Sequence, residues 1–208
     1  MTSHRAIYNQ ISLVQAVEKN NFNLASQIVS ANNYNIDEYR AALMKAAGFG
    51  YLDLTKALAS LKENNQSFNT AAARLASQYG HETTLYFFLK DKNVDANANN
   101  GALAEVAAQY NRVNSLALLS EFGFDFKENG SRAFQNASKY LHVESINYML
   151  KKGVPIVSKD NSLDRQGFNG DRFNNSADPY DAIYRLASKG DSVMDTFKIL
   201  IEETNIDY

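Results

Sequence analysis

Apolar residues recur along the chain at helical spacing, in short stretches separated by polar turns. Leu85, Phe88 and Leu89, then Leu116 and Leu119, then Ile146, Met149 and Leu150 each mark one face of a helix. Ahead of each such stretch lies a shorter helical one rich in small residues, as over 71–79 or 102–110. A break separates the two partners, at Gly50, Gly80, Asn111, Leu141 and Asp191. Each pair then runs into a polar turn with a short alternating patch. Examples are Asn35-Ile36-Asp37, Asn93-Val94-Asp95-Ala96-Asn97, Phe124-Asp125-Phe126 and Asn205-Ile206-Asp207. The pattern predicts a unit of helix, turn, helix and extended finger.

The unit keeps register. Its leading alanines stand at Ala16, Ala46, Ala76, Ala107 and Ala137, in steps of 30, 30, 31 and 30, and a sixth copy at Ala187 follows after a step of 50. Around them Ala76-Ser77-Gln78-Tyr79-Gly80-His81 aligns with Ala46-Ala47-Gly48-Phe49-Gly50-Tyr51, with Ala107-Ala108-Gln109-Tyr110-Asn111-Arg112 and with Ala137-Ser138-Lys139-Tyr140-Leu141-His142. A fixed period of this length is the mark of a stacked repeat array, in which small residues let neighbouring helices approach closely. Asparagine pairs punctuate the repeats at 20–21, 32–33, 64–65, 99–100 and 174–175. Asparagine tolerates left-handed backbone and bonds its own main chain, so the pairs predict turns and helix ends.

These residues resemble the ankyrin-repeat family. The Ala-Ser-Gln-Tyr-Gly-His run at 76–81 resembles the family's break, and Met149-Leu150-Lys151-Lys152-Gly153-Val154-Pro155-Ile156 resembles its repeat end. The resemblance covers residues 8 to 208 in six degenerate copies. No copy retains the family's Thr-Pro-Leu-His, and several lack the glycine after a helix. It implies an all-α, ankyrin-like helical-repeat solenoid with short or irregular β-hairpin fingers, forming one domain over 1–208. It also implies a structural role for His81 and His142, which share one repeat position and in the family bond turn backbone. Divergent, Asn-rich arrays of this kind resemble those of large viruses, phages and intracellular bacteria. The function so implied is that of an effector or inhibitor that blocks or recruits a partner.

The long step inserts a loop at about 156–180, rich in Gly, Asn and Asp and without helical period. Insertions in repeat arrays map to loops, often on the binding face. Its Arg165, Phe168, Arg172 and Phe173 combine the residue types that most often anchor interfaces. A second candidate is the column Phe49, Tyr79, Tyr110 and Tyr140, each three residues after a repeat alanine. These rings either offer a rigid binding stripe or fill the gap between repeats. The fingers add Tyr34 and Tyr39, with Arg40, Phe68, Phe124 and Phe126. Phe197, Ile199, Leu200 and Ile201 make the last helix more apolar than an exposed cap, which raises self-association through the C-terminal repeat.

Composition removes other chemistry. There is no cysteine, so disulfides, thiolate metal sites and a cysteine nucleophile are excluded. The three histidines fall at no metal spacing, and no nucleophile elbow or phosphate-cradling glycine loop occurs. A calcium loop counted from Asp160 places Arg165 where glycine is required. No catalytic residue, metal or cofactor is therefore assigned. The net charge of -2, from 21 basic and 23 acidic residues, supplies no general attraction for nucleic acid or anionic membrane. Arg74, Arg112, Arg132 and Arg185 recur, but carboxylates interleave with them. No apolar run reaches the roughly 20 residues of a membrane span, and the start carries no signal-peptide stretch. The expectation is a cytoplasmic, non-enzymatic protein-interaction module. A small-ligand or enzymatic role centred on the loop and nucleic-acid binding are the alternatives.

Overall fold

The computed structural model describes residues 11–61 and 64–154. Helices hold 73% of these residues, and among them there is no strand. The order is α1 Leu13–Glu18, α2 Phe22–Ser30, α3 Ile36–Gly48, α4 Leu52–Ala59, α5 Gln66–Tyr79, α6 Glu82–Asp91, α7 Ala98–Gln109, α8 Val113–Glu121, α9 Phe126–Asn129, α10 Ser131–Lys139 and α11 Val143–Lys151. Contacts divide the chain into two compact units between Ala98 and Asn99. In the first unit α1, α3 and α5 pack in sequence, as do α2, α4 and α6. In the second, α10 packs on α11, α11 on α8 and α9 on α10. No helix among the described residues is long and apolar enough to cross a membrane.

One local geometry closes the first helix of every pair. The residue at each break is left-handed, with φ 50 at Asn20, 72 at Gly50, 73 at Gly80, 54 at Asn111 and 57 at Leu141. The next residue turns its N–H back onto the carbonyl of the repeat alanine. The bonds are Asn21 to Ala16, Tyr51 to Ala46, His81 to Ala76, Arg112 to Ala107 and His142 to Ala137, at 2.7 to 2.9 Å. The left-handed residue itself donates to the carbonyl after that alanine, from Asn20 to Val17 at 2.8 Å through Leu141 to Ser138 at 3.1 Å. This paired closure is a Schellman motif, and it satisfies carbonyls the helix end would otherwise leave open. Three residues, or two between Tyr79 and Glu82, then separate the first helix from the second. Second helices end the same way at Asn32, Gly123 and Gly153; Asn93 is also left-handed, but there the following N–H, of Val94, reaches the Phe88 carbonyl six residues back.

The repeat alanines are the floor of the core. Ala16, Ala46, Ala76, Ala107 and Ala137 are all completely buried, beside Ala47, Ser77 and Ala108. The second helices contribute the bulk that fills in around them: Leu58, Phe88, Leu119 and Met149, which align in the repeat. Small residues on one helix and large ones on its partner interdigitate at close approach, as a packed interior requires.

The expected extended fingers are helix entrances instead. Asn35 caps α3 by accepting the Glu38 N–H at 2.9 Å, so Ile36 and Asp37 already lie in its first turn. Asn65 caps α5 in the same way through the Phe68 N–H. Asp125 accepts from Lys127 and Glu128 at the start of α9. Asp95 turns the chain locally, accepting from the Asn97 N–H at 2.9 Å. The side-chain caps compete with ladder pairing, and the cap wins because each stretch is too short to pair. Among the described asparagine pairs, Asn20, Asn32, Asn99 and Asn100 are all left-handed, as expected of turns and helix ends, whereas the pair at 174–175 lies outside the described residues.

Gly50 is the position where the turn tolerates least. Its φ is +72, and a Cβ there would lie 2.5 Å from Nδ1 of His81. Gly123 shares the backbone, at φ +84, but a Cβ there meets nothing within 4 Å. Gly123→Ala should cost about 1 kcal/mol from left-handed strain alone, and Gly50→Ala about 2 kcal/mol or more. Urea unfolding of the two variants beside wild type measures the difference. Equal losses would remove the His81 contact from the account.

Candidate functional site

The column expected from the sequence is open to solvent. Phe49, Tyr79, Tyr110 and Tyr140 are 46, 47, 43 and 47% exposed, and they make up most of the large exposed apolar residues among those described. Each ring sits at the C-terminal end of a first helix, one residue before the left-handed turn. The turn sets its direction: three residues after the buried alanine, the side chain leaves the packed face. Tyr79 also rests against the neighbouring helix, since a Cβ on Gly48 would stand 3.6 Å from its ring carbons. It therefore packs on one side and faces water on the other.

A second ring accompanies most of these aromatics. Phe49 lies 5.5 Å from Tyr51, Tyr79 lies 6.5 Å from His81, and Tyr140 stacks on His142 at 5.9 Å. Lys45 and Lys139 place their ammonium groups 5.9 and 5.6 Å from the rings of Phe49 and Tyr140. Lys45 is neutralised by Glu18 at 2.6 Å. Within each unit the surface is aromatic and amphipathic, with hydroxyl tips on the tyrosines, as suits recognition of a protein surface.

The histidines hold helix pairs together. His81 Nε2 lies 2.9 Å from the Gly48 carbonyl, and His142 Nε2 lies 2.9 Å from that of Gln109. Both bonds span 33 residues and land on the last turn of the preceding pair's first helix. A carbonyl can only accept, so Nε2 carries the proton and donates. Beside His142, the Asn111 amide donates to Glu144 at 2.8 Å and its oxygen accepts from the Ser145 hydroxyl at 2.7 Å. This hydrogen bond from Asn111 is the main reason the Glu144 carboxyl titrates below its ordinary value. Thr84 has the repeat position of Ser145, but Gly50 stands where Asn111 would, and the Thr84 hydroxyl has no partner among the described residues.

The finger aromatics occupy other places than expected. Tyr39 is fully buried, and its hydroxyl donates to the Leu58 carbonyl at 3.1 Å. Helical spacing puts it on the face of Ala42, Leu43 and Ala46, so it is core and presents nothing to a partner. Tyr34 precedes the Asn35 cap and packs on Tyr39 at 6.3 Å, the arrangement of a hydrophobic staple. Phe124 and Phe126 are buried edge to face at 4.7 Å. Arg40 pairs with Asp37 at 3.7 Å, and Arg132 with Glu105 at 3.0 Å, which ties up two basic groups. Arg165, Phe168, Arg172 and Phe173, the 156–180 loop and the C-terminal repeat lie outside the described residues. What sequence reasoning missed is a cluster of Lys56, Lys90 and Lys92 around Tyr86 and Phe87. The four-residue spacing of Tyr86 and Lys90 was its only trace.

Asn111→Gly keeps the left-handed turn and removes the amide. The Glu144 carboxyl should then titrate at a higher pH, back toward the usual carboxylate range near ~4.3, in an NMR titration. Because its folded value is depressed, the stabilisation is full above that range and fades as pH falls through the folded value. The variant should lose the larger part of this acid-side dependence, with the backbone hydrogen bond to Glu144 and the nearby His142 still acting on the carboxyl, and an unmoved Glu144 would exclude the amide as its main cause. No family model, curated protein or solved structure matches the chain.

Proposed function

We propose that the chain is an ankyrin-like helical-repeat solenoid that works by binding another protein without catalysis. The solenoid reading is supported by five identical helix closures at the repeat period, by the buried alanine at each, and by like helices packing on like in the first unit. The two histidine bonds add to it, because each joins one repeat to the one before through the same pair of positions. The observation that carries the binding role is the aromatic column. Four rings at one repeat position stay nearly half exposed, whereas the residue three places earlier in each repeat is completely buried. Rigid aromatic area of this kind contributes most of the affinity at protein interfaces at low cost in side-chain entropy. Partner binding would block or recruit the partner, with the 156–180 loop as a further contact.

Affinity capture from the native cell tests this with four proteins: wild type, Phe49→Ala/Tyr79→Ala, Tyr110→Ala/Tyr140→Ala and a form lacking residues 158–177. A stoichiometric partner should be recovered with wild type. Each ring pair that contacts it should weaken binding by about 2 kcal/mol or more, roughly thirtyfold, with the helical circular dichroism unchanged. A partner retained by both ring variants and lost with the loop would move the site to the loop. Recovery of no partner by folded wild-type protein would sink the interaction reading.

A further inference from the structure

The second helices of the first unit carry a surface that the column does not use. Lys56 on α4 and Lys92 at the end of α6 both reach the Phe87 ring, at 5.9 and 5.7 Å from its centre. One α-helical turn along, Lys90 lies 5.1 Å from the centre of the Tyr86 ring and donates to its hydroxyl at 2.7 Å. Phe87 is almost fully buried, and Tyr86 is 41% exposed. Two lysines thus flank one ring, and a third holds the hydroxyl of the ring beside it.

Helix ends explain only part of this cluster. Lys92 donates to the Ala59 carbonyl at 2.6 Å, so it serves the open end of α4 and is fixed in place. Lys56 and Lys90 are exposed and bond no helix carbonyl. Among the described residues, no carboxylate lies within ion-pair distance of any of the three. By contrast Arg40, Lys45 and Arg132 all have carboxylate partners. The Tyr86 hydroxyl, by its hydrogen bond, holds Lys90 protonated above its ordinary range.

We propose that Lys56, Lys90 and Lys92, with Tyr86 between them, form a docking surface for an acidic segment of a partner protein. The three ammonium groups supply the charge complementarity, and the exposed face of Tyr86 supplies apolar contact for a side chain set among the acidic ones. A nucleic-acid strand fits worse. Phe87 is too buried to stack on a base, and Asp53, Asp91 and Asp95 on the same elements would repel a continuous phosphate backbone. A peptide can place single carboxylates at the lysines and avoid those positions. This surface is separate from the aromatic column, and each can fail without the other.

The probe is a fluorescein-labelled peptide of Glu-Glu-Leu repeats, followed by anisotropy on the full chain. Wild type should bind it, more weakly as salt rises. Lys56→Gln/Lys90→Gln should lose about fivefold or more, the value of two exposed ion pairs. Lys151→Gln/Lys152→Gln removes the same charge elsewhere and should leave affinity within about twofold. The charge-reversed Lys56→Glu/Lys90→Glu should reject the peptide and take up one of Lys-Lys-Leu repeats, an outcome that misfolding could not produce. The proposal is overturned if wild type fails to bind, if Lys151→Gln/Lys152→Gln loses as much as Lys56→Gln/Lys90→Gln, or if reversal gains no basic peptide. Tighter binding of an oligothymidylate or of phosphatidylserine vesicles than of the acidic peptide would overturn it as well.

Discussion

Each described helix pair depends on one paired closure, whose longer-reaching hydrogen bond runs from the residue after the left-handed turn to the carbonyl of the repeat alanine. It ends the first helix, reverses the chain in two or three residues, and lays the second helix back along the first. Only a left-handed residue lets that bond form, because the chain must turn more tightly than right-handed backbone allows. Glycine and asparagine meet the need at four of the five sites. Leu141 meets it at φ 57, at a cost of about 1–2 kcal/mol that the surrounding contacts offset. A residue so poorly suited to the conformation holds it because the helices on either side leave no other path.

The same turn determines what faces outward. The alanine four residues before the left-handed residue is driven into the core, where only a small side chain permits close approach. The ring that follows it is turned to the surface by the same helical geometry. Burial of the first and exposure of the second are one constraint, repeated. The aromatic residues kept nearly half in water at four of the five described repeats are the physical basis for the binding role proposed for this face. The histidines bring in the next level, since their bonds tie the closure of one repeat to the entrance of the next.

Charge is distributed differently on the two sides of the helix pairs. Beside the aromatic column, basic groups are paired with carboxylates, as Lys45 with Glu18, or lie over a ring, as Lys139 over Tyr140. On the second helices Lys56, Lys90 and Lys92 gather around two rings, with no carboxylate among the described residues within ion-pair distance, although the Asp91 charge also acts on Lys90. On a protein of net charge -2, the three ammonium groups still present positive charge at the rings they surround. Their field acts at short range, within about a Debye length of 8–10 Å. It selects for contact geometry more than for long-range attraction.

The period, the helix pairs, the breaks and the aromatic column could be read from residue order, because each depends on contacts within one turn of helix; that the column's rings face water rather than fill the gap between repeats came only from the folded structure. Alanine spacing, left-handed residue types and helical apolar spacing are local properties, and the chain carries them in every copy. The entrances to α3, α5 and α9 were misread as extended fingers for the same reason. An alternating patch and a capped first turn look alike until the cap bond is formed. Tyr39 was beyond local reading altogether, since nothing near it in sequence shows that Leu58 will offer its hydroxyl a carbonyl from another helix. Nor does spacing reveal that His81 will reach Gly48, or that Lys56 and Lys92 will meet on one ring, because these pairs lie more than thirty residues apart. Local order dictates where the chain turns; which side chains then meet depends on how the helices stack, and that is a property of the folded whole.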